Sequence, residues 1–258
     1  MRSFGTILAL VFAAVCAAPL SAEELHVMTS GGFTAAYDIL GPQFEKQTGI
    51  TLVTAYGASS GGAPDSIPLR LARGEPADAI ILSRDSLDVL TADGFVAPGS
   101  RIDLVRSKIG MAVRAGAPKP DISTRDALVQ TLLNAESIGY SASASGTYLS
   151  QDLFPRLGIW EEIKGKSLRI PSERVAAVVA RGEVQIGFQQ ISEILPIDGA
   201  DYAGPVPEEL QEVTLFSAGI AVAARNRQGA MRLLQYLSSR NVAPIIAATG
   251  LDPVAAGE

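Results

Sequence analysis

The chain has 258 residues, of which 47% are hydrophobic and 19% charged, with a formal net charge of −6. That apolar content excludes a disordered chain, and the length suffices for one or two lobes with cores of their own. The excess of acidic over basic residues, without any basic cluster, excludes a general nucleic-acid binder, because phosphate affinity needs a concentrated cationic face. A single Cys and a single His leave too few side chains for zinc, iron–sulfur or Ser-His-Asp chemistry, so no metal or other cofactor is expected.

At the amino end Arg2 precedes an apolar run from Ile7 to Ala18, and Leu20-Ser21-Ala22 presents a small residue just ahead of Glu23-Glu24. This is the pattern of a cleavable signal peptide over residues 1–22 and of a mature chain released into the periplasm. The run is shorter than the ~20 apolar residues of a membrane span and ends at Pro19. Val15, ahead of Cys16, departs from a lipid-attachment pattern.

The mature chain alternates short apolar runs with helical spacing. Leu25 to Met28 reads as a strand that opens onto Thr29-Ser30-Gly31-Gly32, and Phe33, Tyr37, Leu40 and Phe44 recur at helical spacing up to Thr48-Gly49. Thr51 to Tyr56 is a second strand, Gly57 to Pro64 a glycine and serine loop, and Asp65 to Arg73 a helix. Ala77 to Leu82 is a third strand, followed by Ser83-Arg84 and a helix to Leu90. Strands alternating with helices imply a mainly parallel sheet, whose ligands sit beyond the carboxyl ends of the strands.

Ile109 to Arg114 reads as a strand leaving this first unit, and Gly116 to Pro120 as a connector. A helix from Thr124 to Asn134 and a strand from Ser137 to Tyr140 lead to the serine loop Ser141 to Gly146, which precedes a helix from Thr147 to Leu157. Leu168 to Ile170 leads through Pro171-Ser172 to a helix from Glu173 to Ala180. Val184 to Phe188 is a strand that ends in Gln189-Gln190, and Thr214 to Ala224 is a long apolar strand able to return to the first unit. Helical stretches Gln228 to Leu237 and Val242 to Thr249 complete the chain.

This order resembles the type II periplasmic binding proteins, within them the molybdate-binding-protein-like group, over essentially the whole mature chain. The resemblance rests on Thr29-Ser30-Gly31, Ser59-Ser60-Gly61, Arg73 to Asp78 and the closing Ala248-Thr249-Gly250-Leu251. It implies an α/β fold of two lobes joined by two crossover strands, Ile109 to Arg114 and Thr214 to Ala224, with an anion held in the cleft between lobes. Residues 23–108 plus 220–258 would form lobe 1 and residues 109–219 lobe 2. It also implies a monomer that delivers its solute to the membrane permease of an ABC transporter.

The loops support an anion site independently. Backbone N–H groups at a helix N-terminus are unpaired and carry positive dipole, and Ser or Thr hydroxyls add neutral donors. Any one such loop could be a cap or turn, but the doubled Ser59-Ser60 and the spaced Ser141, Ser143 and Ser145 exceed what one cap requires. Ser30, Gly31, Ser59, Ser60, Ser143, Ser145, Thr147, Gln189 and Gln190 are therefore the candidate ligand contacts. Gln189-Gln190 stands where the molybdate group has a tyrosine, which argues against a tetrahedral oxyanion. Arg84 and Arg174 would add guanidinium forks that suit carboxylates, so an organic acid is the expected ligand, each Arg being otherwise a surface ion pair.

The chain is also similar to aconitate isomerase, a periplasmic enzyme on this scaffold that shifts a double bond in a tricarboxylate. Such chemistry needs a base for a carbon-bound proton and donors for the resulting anion. Glu173, Glu193, Asp65 and Tyr148 are the candidates, and the residues leave the choice among them open. His26, inside the first strand, reads as a packed or edge residue.

Overall fold

The computed structural model describes residues 23–254, and the signal peptide read over residues 1–22 lies outside them. In chain order the first half comprises β1 (Glu24–Ser30), α1 (Gly31–Thr48), β2 (Thr51–Gly57), α2 (Ile67–Ala72), β3 (Ala79–Ser83), α3 (Arg84–Ala92), β4 (Ile102–Ser107) and β5 (Ile109–Arg114). Next come α4 (Arg125–Asn134), β6 (Ile138–Ser141), α5 (Ala144–Tyr148), α6 (Phe154–Arg156), α7 (Trp160–Ile163), β7 (Ser167–Ile170), α8 (Val175–Ala180), β8 (Ile186–Gln190), α9 (Ile191–Ile194) and β9 (Ala200–Pro205). The chain closes with β10 (Thr214–Ile220), α10 (Arg227–Leu237), α11 (Ala243–Ala248) and β11 (Asp252–Pro253).

These strands form two mixed sheets, ordered β11-β4-β10-β3-β1-β2 and β7-β6-β8-β5-β9, which define two lobes. β1 runs parallel to β2 and β3, and β6 parallel to β7 and β8, as alternating strands and helices require. β10 lies antiparallel between β3 and β4, and β5 antiparallel between β8 and β9.

The chain crosses between sheets at Lys108 and again between Pro205 and Thr214. The expected crossover strands each begin just past a crossing and belong wholly to the sheet they enter. Thr214–Ile220, assigned to the second unit up to residue 219, hydrogen-bonds to β3 and β4 of the first sheet. An edge at 219 would cut through that strand, so the sheet pairing puts the change of lobe before Thr214.

Each lobe has its own core. Phe33, Tyr37, Leu40 and Phe44 of α1 bury one helical stripe against Leu25 and Val27 of β1 and Ala218 and Ile220 of β10. Full burial stabilises each large apolar side chain by about 1.5–3 kcal/mol. Gly49, at φ 74°, ends α1 in the left-handed conformation, and its N–H bonds the Glu45 carbonyl. In the second lobe Leu149, Leu153 and Phe154 pack with Met111, Ile138 and Phe188.

Candidate functional site

The carboxyl ends of β1 and β2 face those of β6, β7 and β8 across a cavity of about 480 Å³. On the first-lobe wall, β1 turns directly into α1 at Ser30 and Gly31. Ser30 is only 1% exposed, its side chain makes no capping hydrogen bond, and its Oγ has no partner among the described residues. Tyr56 to Ser59 and Asp65 continue this wall. Ser59 Oγ accepts the Ser83 N–H at 3.0 Å, which leaves its own O–H free to donate.

The second-lobe wall begins with Ser141 to Ser145, where β6 meets α5, and Ser141 Oγ and Ser145 Oγ lie 3.1 Å apart. Ile170 to Arg174 follow from the end of β7, and Gln189, Gln190 and Glu193 from β8 and α9. Gln189 Oε1 accepts the Ala176 N–H at 3.2 Å, and its amide donates to the Glu193 carboxylate. Gln190 is differently occupied: Ser107 Oγ donates to its Oε1 at 2.7 Å and its Nε2 donates to Thr214 Oγ1 at 3.0 Å. It ties together the two points where the chain crosses between lobes.

The cavity thus holds Ser30, Gly31, Ser59, Ser143, Ser145, Arg174, Gln189 and Gln190 of the expected contacts, and Asp65, Glu173 and Glu193 of the candidate bases. Ser60, Thr147, Arg84 and Tyr148 are not in its lining. Ser60 follows the cavity-facing Ser59 in a loop whose next residue, Gly61, turns at φ 95°. Thr147 is exposed one turn beyond Ser143, about 6 Å farther along the helix. Arg84 pairs at 3.4 Å with Asp103 of β4, two strands away, and is drawn off the cleft. The Tyr148 hydroxyl donates to the Leu210 carbonyl and accepts from Arg156, both at 2.8 Å, within the second lobe. His26 lines a separate cavity with Glu75 and Asp78.

Asp38 and Phe216 complete the lining without having been expected there. Phe216 arrives on β10, through pairing with residues more than a hundred positions earlier, and its ring fills the space a Gly32 side chain would need. The only foreshadowing signal is the second glycine of Gly31-Gly32.

Charge is unevenly satisfied. Asp38 accepts the Tyr56 hydroxyl at 2.6 Å, and Glu173 pairs with Arg181 at 2.9 Å. Burial pushes the Tyr56 hydroxyl up to about 12. Asp65 Oδ1 is shielded from water and has no hydrogen-bond partner among the described residues. Burial pushes the Glu193 carboxyl up to about 7, while Arg174 and the Gln189 amide pull the other way. Arg174 has no ion pair among the described residues, so its guanidinium is available to a ligand carboxylate.

Two lobes with antiparallel crossings and a polar cleft at the strand ends define a type II periplasmic solute-binding protein. A family model described as bacterial extracellular solute-binding protein matches residues 25–252, and the chain belongs to that family. It therefore acts outside the cytoplasmic membrane. The chain is 48% identical to an aconitate isomerase from a Pseudomonas species, over 90% of this chain and 88% of that one. It is 26% identical to the molybdate-binding protein ModA of Azotobacter vinelandii, over 91% of each. Among solved structures, the periplasmic molybdate-binding protein of Azotobacter vinelandii superposes with a TM-score of 0.73 at 22% identity, covering 88% of this chain and 98% of that one. The sulfate-binding protein SubI of Mycobacterium tuberculosis H37Rv superposes with a TM-score of 0.69 at 18% identity, covering 90% and 87%.

Proposed function

We propose that the cleft binds a small organic acid with several carboxylates and shifts its carbon–carbon double bond, as an aconitate isomerase does. The observation that carries this reading is Glu193, a carboxyl that lines the cleft beside Arg174 and the serine loops and is held near neutrality. A permanently ionised carboxylate would repel an anionic ligand, whereas one that titrates near pH 7 can take and return a proton. In this reaction Glu193 removes a proton from the methylene carbon beside the double bond, and the electron pair spreads over the allylic system. The double bond moves by one carbon, and the proton returns to the far carbon, so the formula is unchanged. Arg174, Ser30, Ser59 and Ser145 hold the carboxylates onto which the negative charge delocalises. The 48% identity to an aconitate isomerase supports this reading.

Solute capture for an ABC permease by a monomeric protein is the second reading, and family membership favours it. Both readings share the binding step, and both place the protein in the periplasm after removal of residues 1–22. Ultraviolet absorbance of cis- or trans-aconitate mixed with purified protein separates them. Conversion is expected, with Glu193→Gln slowing it by about 10²–10⁴-fold, the usual worth of general acid–base catalysis. Tight binding of aconitate without conversion would leave solute capture.

A further inference from the structure

We propose that Gly31 is a positioning residue for Glu193, its missing side chain forming the seat in which that carboxyl group rests. A β-carbon on Gly31 would lie 2.0 Å from Glu193 Oε1 and 2.9 Å from its Cδ, well inside contact distance. Gly31 opens α1 and is not among the glycines with positive φ, so its backbone would suit any residue. The obstacle is the Glu193 side chain alone and no backbone atom, so a side chain at Gly31 would displace that carboxyl.

The seat also spans the two lobes. α9 lies between β8 and β9 of the second sheet, yet it docks on the first lobe. Ser192 Oγ donates to the Gly32 carbonyl at 2.8 Å, and a β-carbon on Gly250 would meet Leu195 and Ile191 at 2.8 and 3.0 Å. Around the cavity the groups with which Glu193 shares its surroundings are Arg174, Glu173 and Gln189 from the second lobe, and Asp38, Tyr56 and Asp65 from the first. Displacing the carboxyl by about 1 Å alters its aim at substrate and its exposure to these charges together, a misplacement that can cost about 10²-fold in rate.

The catalytic half of this inference rests on the proposed isomerase reading; the seat itself does not. Carbon-13 NMR titration of the glutamate carboxyls in ligand-free protein tests the seat. One signal should titrate near neutrality, vanish in Glu193→Gln, and move toward the ordinary carboxylate range in Gly31→Ala as the side chain is pushed from its buried seat. An unmoved signal in Gly31→Ala overturns the seat. Turnover of aconitate tests the role: Gly31→Ala should lower kcat by about 10²-fold and shift the acidic limb of its pH profile, leaving KM nearly unchanged. An unchanged kcat and pH profile overturn positioning. A wild-type protein that turns over no aconitate overturns the proposed reaction, and the NMR titration still decides the seat.

Discussion

At the scale of single residues, two arginines that read alike in the chain part company in the structure. Arg84 follows β3 as directly as Arg174 precedes α8, but Arg84 is ion-paired to Asp103 while Arg174 forms no ion pair among the described residues. Arg174→Ala should weaken aconitate binding by about 2–5 kcal/mol, the usual loss when one partner of a desolvated charge pair is removed. Arg84→Ala should leave it unchanged. Calorimetric titration of both variants checks the contrast, and equal losses would return Arg84 to the site. Glu193 makes a second prediction. Its folded value of about 7 exceeds the ordinary 4.5, so between those pH values the folded state holds a proton that the unfolded state has released. That contribution to stability is complete below about pH 4.5 and is lost as the pH rises through 7. Melting temperature against pH should therefore fall more steeply over this window in the wild type than in Glu193→Gln, which has nothing there to titrate.

At the scale of elements, the strong periodicities survived and the weak ones were overridden. The stripe Phe33, Tyr37, Leu40 and Phe44 forms α1 as its spacing requires. The single helix expected over Thr147 to Leu157 is instead α5, a π-helical turn over Leu149–Leu153, and α6. Pro155 accounts for the break, since it has no N–H for the carbonyl four residues earlier. β4 and β9 were absent from the reading of the chain because their strand state comes from pairing with β10 and β5 rather than from local pattern. Asn226 shows an element end doing two jobs: its Oδ1 caps α10 through the Gly229 N–H at 2.8 Å, and its Nδ2 donates to the Glu24 carbonyl at 3.1 Å. Asn226→Ala should cost about 1 kcal/mol of stability, the worth of an N-cap, measured by denaturant unfolding. A change below a few tenths would mean that water replaces the cap.

At the scale of the whole molecule, the lobes meet on both sides of the cavity. Gln190 and the Ser192 contact with Gly32 join them at the base of the cleft. On the other side Gly61 approaches the Ala142 carbonyl so closely that a β-carbon would sit 3.2 Å from it. Two crossings, Lys108 and residues 206–213, are the places where the lobes can hinge, and a ligand held by both walls would favour the closed arrangement. X-ray scattering should give a smaller radius of gyration with saturating aconitate than without, and an unchanged radius would exclude hinge closure on this ligand.

Much of this architecture was legible in the linear chain. The alternation of strand and helix gave the parallel pairing of β1 with β2 and β3 and of β6 with β7 and β8, which put the serine loops at the carboxyl ends, and the apolar stripes marked the faces that pack. The sheets are nonetheless mixed rather than mainly parallel, because β5 and β10 pair antiparallel with their neighbours. Glu193, Asp65 and Glu173 were visible as acids near those loops but could not be ranked, because the ionisation of a carboxyl depends on what surrounds it. Only the tertiary structure brought Gly31 and Gln189 against Glu193, took Arg84 to Asp103 and left Arg174 in the cleft. Local pattern reports propensity and burial over a few turns of chain, whereas charge and proton affinity are set within a few ångströms of space by residues that are up to 162 positions apart in sequence, as Gly31 and Glu193 are.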